Sequence, residues 1–324
     1  MIYAVPVHAT DEVREFLRSS AAVNIGGEFI AGLPNGRVFG SGAVLSADGA
    51  SVARDVSVDF GKPFEEHWLL GFKKIRPPVH LPGVSAVVAT ALGSGYAHWL
   101  LDELPRLIAL AREGRTCDRL IVHAATPLSR EALGRFQVAP EILEPRRYSH
   151  YQCDQLIVPS LIGQPGCPTS RVVQLLAEFT SAQREASRPG RELIYLSRAN
   201  ARRRRVMNEA ELEPWLTARG FVKVCTEELP WAEQIAVFRH AKVIVAPHGA
   251  GLANLVFCRP GTRVIELFNR AYVNGCYWRL SSIQGLDYRP IVEGGAGPLC
   301  VDLESNALDM NVDIERVAAV LRAT

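Results

Sequence analysis

Apolar and polar positions along this chain follow two rhythms. Over the first 60 residues the apolar runs are short and broken by turn signals, among them Pro34-Asn35-Gly36 and Ala47-Asp48-Gly49. Asn-Gly and Asp-Gly tolerate positive φ, so these tripeptides predict hairpins and a small β-rich opening. From Ser85 the rhythm changes to β-like runs separated by segments of helical period. Strands are expected at residues 86–89, 120–122 and 155–158, and helices from about Ala97 and from Ser129 to Phe136. This alternation implies a parallel sheet with helices on its faces.

A helical stretch from about Ser170 runs into Ser187-Arg188-Pro189-Gly190-Arg191, where Pro and Gly break the helix and mark a linker. A second alternating unit follows, with strands expected at residues 193–196, 221–224, 243–246, 264–267 and 288–292. Asn208, with Glu211 three residues on, is placed to cap one intervening helix, which Gly220 closes, and Pro230 opens the next. A final helix runs from Asp313 to Leu321, with Ile314, Val317, Ala318 and Leu321 on one face. The organisation expected is therefore α/β: a domain at 1–187 whose first 60 residues are β-rich, a second Rossmann-like domain at 188–300, and a tail with a helix at 301–324. A ligand cleft belongs at the carboxyl ends of the strands.

Composition narrows this little further. At 324 residues, 48% apolar and 22% charged, the chain has the make-up of a soluble globular protein larger than one core. No apolar run reaches the roughly 18 residues of a membrane span. Asp11, Glu12, Arg14, Glu15 and Arg18 occupy the place of a secretory apolar region, so a cytoplasmic protein is expected. Basic and acidic residues number 36 and 34, which leaves no general field to attract nucleic acid. The 31 Arg against 5 Lys fit either phosphate recognition or a GC-rich genome. Seven cysteines, odd in number and without a CxxC pair, read as reduced and mostly buried thiols.

Three motifs carry candidate chemistry. In Val243-Ile-Val-Ala-Pro-His248-Gly249-Ala250-Gly251-Leu252-Ala-Asn254 a buried strand empties into a Gly-Ala-Gly turn that opens a helix. Unpaired N–H groups and a positive dipole end favour a phosphate there, although a tightly packed strand-to-helix junction uses the same residues. His248 adds an imidazole at the strand's carboxyl end. A dinucleotide fingerprint would have Gly or Ala in place of Asn254 and a carboxylate about 20 residues on, and Glu266 comes earlier than that. Second, Leu196-Ser197-Arg198 ends a strand, and an Arg fork can clamp a diphosphate; the run Arg202 to Arg205 after it reads as a solvated loop or a lid. Third, in Tyr96-Ala97-His98-Trp99-Leu100-Leu101-Asp102-Glu103-Leu104-Pro105-Arg106, His98 and Asp102 share a helix face and Pro105 should end or kink the helix. The pair is either a cleft dyad or a surface ion pair. HExxH, Asp-x-Asp, GxSxG and Walker motifs are absent from the sequence.

Together the motifs resemble glycosyltransferase family 61. The resemblance rests on His98-Trp99, Asp102, Pro105-Arg106, Ser197-Arg198, Asn208-Glu209, Gln234, Ala241, His248 through Asn254, Phe257, Pro260-Gly261 and Val264 to Leu267, in order over about residues 85 to 270. Gly95 departs from it, since relatives often carry Asn three residues before the His. The absence of an anchor and of disulfides points within that resemblance to a bacterial member of capsular-polysaccharide type, at the cytoplasmic face of the membrane.

The resemblance implies a GT-B architecture of two facing Rossmann-like domains, the second holding a nucleotide sugar and the first a saccharide or glycoconjugate acceptor. It implies inverting chemistry with no cofactor and no metal, on a UDP sugar in preference to a GDP one, with no nucleic-acid partner. Arg198, His248, Gly249, Ala250 and Gly251 would hold the diphosphate, with Asn254 in the same loop, and Glu266 or its neighbours the ribose. Asp102 would be the base and His98 would orient it or the acceptor, or the two would exchange those roles. The other readings are an NAD(P)-dependent oxidoreductase built on the second domain and a non-catalytic nucleotide-sugar-binding protein.

Overall fold

The computed structural model describes residues 3–6, 8–19, 26–59, 62–72, 74–136, 140–182, 191–294, 297–301 and 308–323. The chain forms two compact units. One is Asn24–Phe179, and the other joins Met1–Val23 to Thr180–Thr324. Except for Arg191, the linker expected at 187–191 lies outside the described residues, as does part of the tail at 302–307.

The β-rich opening is divided between the units. Helix α1 (Asp11–Ser19) belongs with the C-terminal half. Glu12 pairs with Arg270, the Tyr3 ring packs on Trp278, and Trp278 Nε1 donates to the Ala4 carbonyl at 2.8 Å.

The strands of the first unit are β1 (Ile30–Pro34), β2 (Arg37–Phe39), β3 (Ala43–Leu45), β4 (Val79–Val87), β5 (Arg119–Ile121), β6 (Glu141–Leu143) and β7 (His150–Pro159). They lie in the order β3-β2-β7-β4-β5-β6, with β1 also against β7. Only β4 to β7 run parallel to one another; β1, β2 and β3 are antiparallel to their neighbours, so this sheet is mixed. Pro34-Asn35-Gly36 makes no hairpin. β1 and β2 pair with the same strand in one unbroken register, and Asn35, at φ 54°, is a kink between two halves of one run. Ala47-Asp48-Gly49 does turn the chain, with Ser46 Oγ and the Ala50 N–H both donating to Asp48 and Leu45 bridging Val52. Val38, Val44, Leu81, Val87, Ile121, Leu156 and Val158 form the core on this sheet.

After β4 a single helical run follows: α2 (Tyr96–His98), a π turn (Trp99–Glu103) and α3 (Leu104–Arg112). Pro105 neither ends nor breaks it. The proline falls in the first turn of α3, directly after the π turn. α4 (Pro127–Leu133) starts on a reciprocal Thr126–Ser129 cap, and α5 (Ser170–Thr180) closes the unit.

In the second unit β8 (Leu193–Leu196), β9 (Val222–Val224), β10 (Val243–Pro247), β11 (Arg263–Asn269) and β12 (Asp287–Glu293) form a wholly parallel sheet ordered β12-β11-β10-β8-β9. Helices α6 (Glu209–Thr217), α7 (Trp231–His240), α8 (Cys276–Gln284) and α9 (Ile314–Arg322) complete the unit. Strand runs of Val, Ile and Leu fit a sheet covered on both faces. The last helix packs into this unit, with Val317 beside Tyr195, Leu212, Val245 and Ile265 in one core. Asn208 departs from its expected work: its amide makes no cap bond but clasps Val312, donating to the carbonyl and accepting from the N–H, each at 2.9 Å. Strand order reverses between β8 and β10, and such a switch point leaves a crevice at the strands' carboxyl ends.

All seven cysteines are free thiols, but only Cys153 and Cys258 are buried and the rest are half-buried. Among the described residues no helix is long and apolar enough to cross a membrane.

Candidate functional site

At the switch point of the second sheet the chain leaves β8 through Ser197-Arg198 and β10 through His248-Gly249. Ser197 Oγ donates to Glu209 at 2.5 Å and accepts the Ala199 N–H, which fixes the exit from β8. Arg198 is half-buried, and its Nη2 donates to the Arg203 carbonyl at 2.9 Å. Its guanidinium lies across the Cα of Gly249, so close that a Cβ there would overlap Nη1. Gly249 has φ 176°, an extended conformation open to any residue, so the glycine is required by this approach and not by strain. Burial pulls the Arg198 guanidinium below its usual range, and neighbouring Arg204 pulls the same way. Two cations held together suit an anion carrying more than one charge.

The turn continues as a 3-10 helix over Ala250–Phe257, tighter than the helix expected. Ala250 and Gly251 are partly open to solvent, and the first N–H groups of a helix have no partner within it. Gly251 is pressed by Thr226 beyond β9; a Cβ would come within 2.9 Å of its Oγ1. Asn254 has no exposed surface, and its amide donates to Gln234 Oε1 at 3.0 Å and the Gly251 carbonyl at 3.1 Å. It braces the turn from inside.

His248 and Glu266 are brought together, away from solvent. The Glu266 carboxylate is fully buried; Oε1 lies 2.5 Å from His248 Nδ1, and Oε2 accepts the Tyr288 hydroxyl at 2.6 Å. Glu266 therefore fixes the imidazole, which leaves the expected ribose contact to its neighbours. Burial drives the His248 imidazole below its usual range against the opposing pull of Glu266. Burial likewise holds the Tyr288 phenol well above its usual range, as a neutral donor.

Two residues of this site had no individual signal in the sequence. Arg204 stood in a four-arginine run, of which the structure gives Arg205 to Asp309. Arg204, at φ 56°, instead turns back, donates to the His248 carbonyl at 3.1 Å and lies over the Tyr272 ring. Tyr288 reads as one more strand residue, and its link to Glu266 depends on strand pairing.

The first unit holds the other motif at the carboxyl end of β4. His98 Nδ1 lies 2.7 Å from Asp102 Oδ2, and the Gly166 N–H donates to the same carboxylate at 3.1 Å. The Asp102 side chain is 7% exposed and that of His98 21%, so the imidazole is the more open partner. The intervening π turn widens the helix here, a local irregularity that recurs at functional sites.

The rest of that motif holds the pair in place. Trp99 is buried and its Nε1 donates to the His123 carbonyl at 2.6 Å. Glu103, fully buried, accepts from the Thr90 N–H at 2.7 Å and faces His123 Nδ1 at 2.7 Å. Arg106 donates to the carbonyls of Val87, Val88, Ala89 and Pro159, tying the end of β4 to that of β7. Burial brings its guanidinium down to about 10, still charged at neutral pH. Among the described residues no group of three His, Cys, Asp or Glu side chains is placed to hold a metal ion.

Comparison with known proteins bears on both motifs. The family model described as Glycosyltransferase 61 matches residues 96–265, more than half of the chain. An EGF domain-specific O-linked N-acetylglucosamine transferase of Drosophila melanogaster is 33% identical over 131 residues, 38% of this chain. The match covers 25% of that relative's length.

Proposed function

Because this chain belongs to glycosyltransferase family 61, we propose that it is an inverting, metal-independent enzyme of GT-B type. It moves a sugar from a nucleoside-diphosphate donor, UDP-linked before GDP-linked, to a saccharide or glycoconjugate acceptor. The observation that carries this reading is the Arg198 guanidinium laid across Gly249 at the switch point of a parallel sheet. The diphosphate would lie against Arg198, Arg204 and the N–H groups of Ala250 and Gly251. These charges are preorganised for the leaving group and neutralise it without a metal ion.

The acceptor falls to the first unit in this reading. The acceptor oxygen attacks the anomeric carbon, the bond to the diphosphate breaks on the opposite face, and the hydroxyl proton passes to the His98–Asp102 pair. Asp102 is nearly buried and already accepts from His98 and Gly166. That arrangement favours Asp102 as the group that orients and His98 as the base, the reverse of the first sequence assignment.

We place the activity in bacterial surface polysaccharide of capsular type, at the cytoplasmic face of the membrane. The fly relative's name joins N-acetylglucosamine to a protein acceptor, which makes UDP-N-acetylglucosamine the first donor to try. A thermal-shift screen of UDP, GDP, CMP and NAD tests the donor class, since a ligand of the folded state raises Tm by mass action. A rise with UDP or GDP is expected; a rise with NAD alone would favour an oxidoreductase. Donor hydrolysis or transfer then separates an enzyme from a binding protein.

A further inference from the structure

We infer that Glu266 and Tyr288 are positioning residues that allow His248 to take up a proton when a nucleotide sugar binds beside it. The inference rests on the donor site proposed above.

Each oxygen of the Glu266 carboxylate has a committed contact, Oε1 with His248 Nδ1 and Oε2 with the Tyr288 hydroxyl, and neither meets solvent. A buried carboxylate without a cation is costly, and an imidazolium is the partner that removes the cost. The second ring nitrogen, Nε2, makes no hydrogen bond among the described residues, and 7% of the side chain is open. The imidazole can therefore offer Nε2 outward while Glu266 steadies Nδ1.

The groups facing the ring set when the proton arrives. From β11 come Glu266 and Phe268, the latter stacked at 5.2 Å; the loop beyond it brings Tyr272, and α8 brings Tyr277 and, next to it, Cys276. From β12 comes Tyr288, and beyond β8 come Arg198 and Arg204. Glu227 and Asp309 act on Arg198 from farther out. In the free protein burial and the two arginines hold the imidazole below its usual range against Glu266. A diphosphate between those arginines cancels their repulsion and leaves Glu266 unopposed. The ring then gains a proton from solvent and donates it through Nε2 to a phosphate oxygen.

The sign follows. Uptake on binding makes affinity fall with rising pH, by up to about tenfold per unit, across the interval between the imidazole's free and bound values. The phosphates of a nucleotide sugar are diesters and do not titrate near neutrality, so any uptake belongs to the protein.

The test is titration calorimetry of the full chain with UDP-N-acetylglucosamine and GDP-mannose near pH 7.5, in two buffers of different ionisation enthalpy. Wild type should take up a large fraction of one proton, seen as different heats in the two buffers. His248→Gln, neutral at every pH, should bind with equal heats and lose the pH slope. Glu266→Gln should lose most of the uptake, and Tyr288→Phe should change it less. Binding with equal heats in wild type, or uptake that persists in His248→Gln, overturns the inference while sparing the donor site. If neither nucleotide sugar gives heat of binding, the donor site falls and the inference with it.

Discussion

The Arg198 guanidinium occupies the space that a side chain at residue 249 would need. Adding one methyl group to the glycine therefore displaces the arginine, without disturbing a backbone already extended at φ 176°. Gly249→Ala and Arg198→Ala should each weaken UDP or GDP binding by about 1.5 to 3 kcal/mol, the range for a hydrogen bond to a charged group. Combined, they should cost little more than either alone, because both remove one contact. Additive losses in calorimetry would mean that Gly249 meets the ligand independently of Arg198.

The His98–Asp102 pair should act as a unit. His98→Ala and Asp102→Asn are each expected to lower kcat by about 10²- to 10⁴-fold, the usual worth of general-base assistance, with donor affinity nearly intact. Steady-state kinetics together with donor titration checks both halves of the statement. A rate for either variant within about threefold of wild type would reduce the pair to a helix ion pair.

Activity should survive EDTA. Two arginines at the switch point already supply the positive charge that a cation would bring to the diphosphate. Full loss on chelation, restored by Mn²⁺ or Mg²⁺, would count against the proposed mechanism.

Arg106 belongs to the same sequence motif as His98 and Asp102, and in the structure it is buried and holds the fold together. Its guanidinium serves four carbonyls at the ends of β4 and β7. Arg106→Leu should lower stability by about 3 kcal/mol or more, since each buried carbonyl left without a donor costs about 1 to 3 kcal/mol. Urea unfolding measures this directly. A loss under about 1 kcal/mol would mean that water replaces the guanidinium.

The second unit was the more legible in the sequence. Its strands are short runs of Val, Ile and Leu between helices, and a parallel sheet covered on both faces demands that pattern. Its helix boundaries at Gly220 and Pro230 rest on local chemistry, and the structure keeps them. The misreadings fall where a residue's partner lies far along the chain. Asn35 has the local signature of a hairpin because nothing nearby reveals that β7 pairs with both of its flanks. Asn208 suits a helix cap, yet Val312, 104 residues away, takes its amide. Glu266 was visible as a strand-borne carboxylate, but its full burial depends on β12 lying alongside. Residues declared by a motif are visible in the sequence; those brought to the candidate site by packing, such as Arg204 and Tyr288, are not.

The split opening of the chain has a consequence for the order in which a ribosome delivers it. Residues 24–179 are continuous, so that unit can fold as soon as it emerges. The Ala4 carbonyl waits for Trp278, 274 residues later, and Glu12 waits for Arg270. At about 5 to 20 residues per second, α1 spends on the order of tens of seconds without the surface it will cover. Its exposed Asp11, Glu12 and Arg18 keep it soluble during that interval, while Val13 and Leu17 remain to be buried when the last part of the second unit arrives.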